Sequence, residues 1–189
     1  MFLDVHKTKI KISVLILLIS ILGIIIYKIV TNSENNIPFF SNSKISYTSI
    51  QSSDNVIKLT FNDSYGLHNE PSDTHVLKVT NSEGFLLSIS KIQKYNFDLK
   101  KILESDMQTF LKSLGNYTNL SAISDAKYTN ISGYIYSLNY TSNLTEYKIY
   151  EFITDINGAL YFFDIKFPTK HESKYKNLKN EILNSISFN

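Results

Sequence analysis

No cysteine and no tryptophan occur among the 189 residues. The missing cysteine excludes thiol nucleophiles, thiolate zinc sites, disulfides and lipid attachment through a lipobox. Only six glycines are present, and none of them builds a phosphate-cradling loop. A marked imbalance of charge is also lacking. Lysine and arginine together number 19 against 17 aspartates and glutamates, a net +2, too little for a nucleic-acid surface. Lys91, Lys94, Lys100, Lys101 and Lys112 alternate with Asp98, Glu104 and Asp106, which reads as a solvated helical face. No serine stands in a nucleophile elbow, so a Ser-His-Asp hydrolase has no anchor in the sequence.

What is present is unevenly spread. Ile12 to Tyr27 contains nothing more polar than Ser13, Ser20 and Gly23, and Ile29 and Val30 extend the run beyond Lys28. About 20 apolar residues span a bilayer core as a helix, provided that the Lys28 stem reaches the interface beside Tyr27. Residues 12–30, with Ile12, Leu18, Ile25 and Val30 along their length, are therefore expected to form a transmembrane signal anchor. Lys7, Lys9 and Lys11 precede it, which assigns residues 1–11 to the cytoplasm and the C-terminal domain to the outside. The competing reading is a cleaved leader, but the run ends in Ile-Ile-Ile-Tyr-Lys-Ile-Val without an A-x-A-like site. Residues 31–44 are polar, broken by Pro38, and read as a stalk.

Residues 45–189 show the periodicities of an α+β domain. Ile45 to Ile50 and Val56 to Phe61 alternate as half-buried strands, and His75 to Thr80 and Phe85 to Ser90 flank the hairpin turn Asn81-Ser82-Glu83-Gly84. Leu99, Ile102, Leu103, Met107, Phe110, Leu111 and Leu114 then recur at helical spacing. Asn96 or Asp98 is placed to cap the start and Gly115 to end it. Four strands follow, about Leu120 to Thr129, Ser132 to Thr141, Glu146 to Asp155 and Ala159 to Phe167, with turns at Asn130-Ile131, Ser142-Asn143 and Asn157-Gly158. Beyond Pro168, Tyr175, Leu178, Ile182 and Ile186 mark a second helix. Leu160 and Phe162 put apolar bulk opposite Tyr161 and Phe163, so the sheet needs a cover on both faces. The expected architecture is a mostly antiparallel sheet with one helix on each face.

Four side chains of metal-binding type cluster in one segment: His68, Glu70, Asp73 and His75. Imidazoles and carboxylates are ordinary ligands for divalent first-row metals, with His171 as a further ligand if the fold brings it near. The plainer reading is a solvated loop rich in Asn, Pro, Ser and Asp. The 13 tyrosines suggest aromatic platforms for glycan or peptide, but aromatics are also favoured for burial in strands. Six N-x-S/T triplets, beginning at Asn62, Asn116, Asn119, Asn130, Asn139 and Asn143, are expected by chance in so polar a composition.

The order of elements resembles the PsbP/Mog1-like domain family. The likeness is carried by Tyr65-Gly66-Leu67 leading to Pro71, by Ile131-Ser132-Gly133-Tyr134, and by the closing Ile182-Leu183-Asn184-Ser185-Ile186-Ser187-Phe188. It spans about Ile45 to Asn189, with Ser72-Asp73 where the family usually has an aromatic. The resemblance implies an α/β/α sandwich and, for a bacterial membrane-anchored member, binding or assembly without a shared catalytic site. The expected function is thus a membrane-tethered extracytoplasmic binding or assembly module, not an enzyme, needing no cofactor. Its expected partners are the membrane and another envelope protein, with no nucleic acid. Two alternatives stay open: an envelope hydrolase or metal-dependent enzyme using the His68–His75 loop, and a structural component of a spore or cell-envelope complex.

Overall fold

The computed structural model describes residues 45–93 and 98–188. The expected anchor at 12–30, its flanking segments and the alternative cap Asn96 lie outside the described residues. Among the described residues no helix is long and apolar enough to cross a membrane. Within these described residues eleven strands and two helices follow one another: β1 (Tyr47–Gln51), β2 (Ile57–Asn62), β3 (His68–Asn69), β4 (Leu77–Thr80), β5 (Leu86–Gln93), α1 (Leu99–Leu114), β6 (Tyr117–Thr118), β7 (Ser124–Lys127), β8 (Ser132–Ser142), β9 (Thr145–Ile156), β10 (Ala159–Pro168), α2 (Glu172–Ser185) and β11 (Ser187–Phe188).

The main sheet has eight strands in the order β3-β4-β5-β10-β9-β8-β6, with β7 also pairing on β8. All its ladders are antiparallel. A separate three-stranded sheet, β1-β2-β11, was not foreseen as such. The Ser-Ile-Ser-Phe end supplies its third strand, pairing Ser187 with Lys58 and Phe188 with Ile57. Beyond that short pairing the edge of β2 would present unpaired amides. Ser185 Oγ accepts from Thr60 N–H at 3.0 Å and Glu181 Oε1 from Asn62 N–H at 2.8 Å, so α2 side chains stand in for a missing strand.

The two faces of the main sheet differ. On one, Leu87, Ile89, Tyr161, Phe163, Ile165 and Phe167 pack with Tyr175, Leu178, Ile182 and Leu183 of α2 and with Ile57, Leu59 and Phe61 of β2. This is the principal core. On the other, α1 lies over β8 and β9 with Leu103 buried against Tyr136, Leu138, Ile153, Leu160 and Phe162. The rest of its stripe (Leu99, Ile102, Met107, Phe110, Leu111 and Leu114) is only half-buried. Asp98 caps α1 by accepting from Lys100 N–H at 2.8 Å. The expectation of a sheet apolar on both faces therefore holds under α1 alone. Towards β5 and β4 the same face turns polar, and Asp106 of α1 borders it there.

Candidate functional site

The expected cluster of His68, Glu70, Asp73 and His75 does not converge. His68 lies on β3 with Nε2 3.2 Å from Thr80 Oγ1. Glu70 is paired with Lys78 at 2.6 Å. His75 Nδ1 is held by Ser72 Oγ at 3.0 Å and Thr74 Oγ1 at 2.9 Å, within a turn in which Ser72 Oγ also accepts from the amides of Thr74 and His75. Glu70, Asp73 and His75 line a shallow cleft of about 290 Å³. Among the described residues no three His, Asp or Glu side chains are placed to hold a metal ion. His171 stacks edge-on to Tyr175 at 5.8 Å, near Glu83.

A different group is brought together on the polar half of the α1 face. Because side chains alternate along a strand, the register aligns one residue from each neighbour. Lys78 of β4 is opposite Ser88 of β5, Ser88 opposite Asp164 of β10, Asp164 opposite Glu151 of β9, and Glu151 opposite Tyr136 of β8. The result is a polar row across the middle of the sheet. Asp106 approaches it from α1, and with Ser90, Ile92, Phe162, Glu151 and Asp164 it lines a cleft of about 200 Å³. Of the lysines in this row and the next, Lys78 is paired with Glu70 and Lys166 rests over the Tyr147 ring at 5.1 Å.

Burial dominates the electrostatics here. Glu151 is 7% exposed and Tyr136 1%. Removal from water pushes the Glu151 carboxyl up to about 8, and the charges of Asp164 and Asp106 add to the effect. Asp164 is raised to about 6 by burial and then by Asp106, and Asp106 is itself raised by burial. Burial and the adjoining carboxylates drive the Tyr136 hydroxyl upward too. Tyr136 and Glu151 are near enough to affect each other's protonation. Even so, neither Tyr136 Oη nor Glu151 Oε2 completes a hydrogen bond of normal geometry, and both atoms are sealed from solvent. Near neutral pH the row thus holds a protonated Glu151, in contact with Tyr136 and Asp106, beside an ionised Asp164 held by Ser88.

A second set of polar contacts is structural. Asp54 accepts from Ser52 Oγ at 2.6 Å, Val56 N–H at 3.2 Å, Lys91 Nζ at 2.9 Å and Tyr161 Oη at 2.8 Å. It ties the β1–β2 turn to β5 and β10. Burial opposes ionisation there, but the four donors outweigh it and hold the carboxyl down to about 2.

Glu151 and Asp164 had no place among the expected site residues; Asp106, assigned to a solvated face, is exposed and borders the cleft from α1. A signal did exist. Glu151 interrupts Tyr147, Ile149, Ile153, and Asp164 follows Leu160 and Phe162 on the same side of their strand. A charge at an inward position of a periodic row marks a buried ionisable group.

The chain matches no family model and no curated protein. Solved structures do resemble it. The cyanobacterial PsbP (CyanoP) of Synechocystis sp. PCC 6803 has a TM-score of 0.59 at 10% identity, covering 79% of this chain and 96% of that one. LpqN of Mycobacterium tuberculosis, a protein involved in cell envelope biogenesis, has a TM-score of 0.50 at 15% identity, covering 79% and 94%. The described domain has a PsbP-like fold: a mostly antiparallel sheet with two helices. At such identities the likeness extends to the fold alone.

Proposed function

We propose that this chain is a membrane-tethered binding or assembly module whose domain, residues 45–189, works on the outer side of a cell membrane. The reading rests on one conjunction. A PsbP-like domain follows an apolar run, Ile12 to Tyr27, whose flanking lysines Lys7, Lys9 and Lys11 favour an inside N-terminus. The involvement of LpqN in cell envelope biogenesis supports an envelope setting. The arrangement of His68, Glu70, Asp73 and His75, each in local contacts or solvent, gives a metal-dependent enzyme no support. The partly uncovered polar half of the α1 face is the surface assigned to binding.

Because the chain is free of cysteine, one introduced thiol reports its own location. Leu144 at the β8–β9 hairpin tip is fully exposed. In intact cells, Leu144→Cys should react with a membrane-impermeant maleimide, whereas Thr8→Cys should react only after lysis. Labelling of Thr8→Cys alone in intact cells, or recovery of the chain in the soluble fraction, would remove the tethered reading.

A further inference from the structure

We propose that β1 is a docking edge for a second copy of this chain, pairing antiparallel with the partner's β1 about a two-fold axis at Ser49. Such pairing goes beyond the tethered reading and does not depend on it, because the edge belongs to the domain itself.

The direction of each β1 amide follows from two hydrogen bonds at the ends of the strand. Ser46 O accepts from Asp63 N–H at 3.0 Å, and Ser52 N–H donates to Ile57 O at 2.8 Å. Along an antiparallel ladder such bonds recur at every second residue, and the β1–β2 register runs from Tyr47 to Gln51 without a bulge. Thr48 and Ile50 therefore direct their backbone groups to β2. Tyr47, Ser49 and Gln51 turn theirs outwards, and among the described residues no strand pairs on that side.

Proteins commonly guard such an edge with a charge, a proline, a bulge or a very short strand. The other edges of this domain are guarded. β3, β6 and β11 are two residues long, β7 carries Asp125 and Lys127 at exposed positions, and Ser185 and Glu181 cap the far side of β2. β1 has none of these devices: from Ile45 to Ser53 there is no charged residue and no proline. It also presents apolar surface, with Ile45 63% and Tyr47 59% exposed.

A second copy fits because the edge complements itself. With Ser49 opposite the partner's Ser49, Tyr47 falls opposite the partner's Gln51 and Thr48 opposite the partner's Ile50. Every outward N–H then meets an outward C=O, no like charges are brought together, and the small Ser49 side chain leaves room on the axis. Thr48 and Ile50 lie on the side of Phe61 and Leu59, so half-buried Ile50 continues the core-facing row across the junction. A charged partner strand would find no counter-charge on β1. The pairing is also closed: the outer strand of each joined sheet is the two-residue β11, and growth stops at the dimer. Five residues per copy bury less than the ~800 Å² per partner of a standard interface. The dimer is therefore weak, with an expected Kd of about 10–100 µM.

The test is sedimentation equilibrium of the full-length chain in a density-matched nonionic detergent, from about 5 to about 500 µM to bracket that Kd, with two charge variants at the axis. The unaltered chain should show a monomer–dimer equilibrium. Ser49→Lys and Ser49→Glu put like charges opposite each other and should each weaken association about fivefold or more. Mixed in equal amounts they put opposite charges there, and the mixed dimer should match or exceed the affinity of the unaltered chain. Ser49 is exposed, its hydroxyl meeting Thr60 Oγ1 at 2.9 Å, so both variants keep the fold. Amide exchange at Tyr47, Ser49 and Gln51 should slow in the dimer and return to fast in Ser49→Lys. A chain that stays monomeric at about 500 µM, well above the expected Kd, would overturn the proposal. Slow exchange at those three amides in that monomer would give the edge to another segment of the same chain. Association of equal strength in the unaltered, Ser49→Lys and Ser49→Glu forms would overturn it too, by placing the contact away from β1. The thiol-labelling result bears on the tether alone, so either idea can fail without the other.

Discussion

Gly133 owes its identity to the strand beside it. A Cβ on its backbone would lie 1.8 Å from the Ile153 carbonyl oxygen and 3.1 Å from Phe152 Cε2. Neither neighbour can give way easily: Ile153 and Phe152 are both buried, and Thr154 Oγ1 is fastened to Ser132 O at 2.7 Å. Gly133→Ala must therefore part β8 from β9 where the two strands begin to pair. The expected cost is about 2–4 kcal/mol of unfolding free energy, at the upper end for overpacking, and urea denaturation measures it. A loss below about 0.5 kcal/mol would mean that the strands are not so close. At this scale the sequence is legible only in part. Gly133 stood out through the Ile131–Tyr134 pattern, while its reason, contact with a carbonyl 20 positions on, is a fact of pairing. Glu151 and Asp164 could have been found from strand alternation, and the Asn157-Gly158 turn sets them opposite one another.

Among the elements, those ruled by local chemistry were the readable ones. Asn157 and Gly158 take φ of 52° and 81°, the left-handed pair that closes a two-residue hairpin with the right twist, and β9 and β10 pair up to Ile156 and Ala159 as expected. The α1 stripe, its Asp98 cap and Gly115 at φ 68° were equally plain. The turn before β9 lies one position later than expected. It uses Asn143 and Leu144, with φ of 49° and 63°, because Ser142 still pairs with Thr145. The expected strand from Leu120 to Thr129 contracts to Ser124–Lys127, which pairs only with β8. A leucine in the left-handed region costs roughly 1–2 kcal/mol, and Leu144, fully exposed, recovers nothing by burial. Leu144→Gly removes that strain and loses some unfolded-state advantage. The expected net gain is about 0.5–1 kcal/mol, read as a higher urea midpoint at unchanged slope. A lower midpoint would show that Leu144 makes a contact that the domain needs.

For the whole domain, the polar row makes stability depend on pH in an uncommon direction. The three-stranded sheet that closes the fold joins residues more than 120 positions apart, so no local pattern could announce it. The consequence is thermodynamic. Glu151 ordinarily titrates at 4.5 and is raised to about 8 in the fold; Asp164 goes from 3.8 to about 6. Between the unfolded and folded values the native state holds more protons than the unfolded chain, so stability falls as pH rises, by up to about 1.4 kcal/mol per pH unit for each group. Asp54 works oppositely and lower on the scale. With its carboxyl held down to about 2, its contribution is present above 3.8 and lost as pH falls through about 2. Stability should therefore peak near pH 4–5. From pH 5.5 to 8.5 the loss is about 3 kcal/mol, or roughly 5–10 °C in Tm for a domain of this size. Glu151→Gln, neutral at every pH, should flatten most of that fall while leaving the acid limb set by Asp54 unchanged. A Tm that is level or rising over this range would mean that Glu151 and Asp164 are solvated in the native state, and the polar row would then have no proton to exchange.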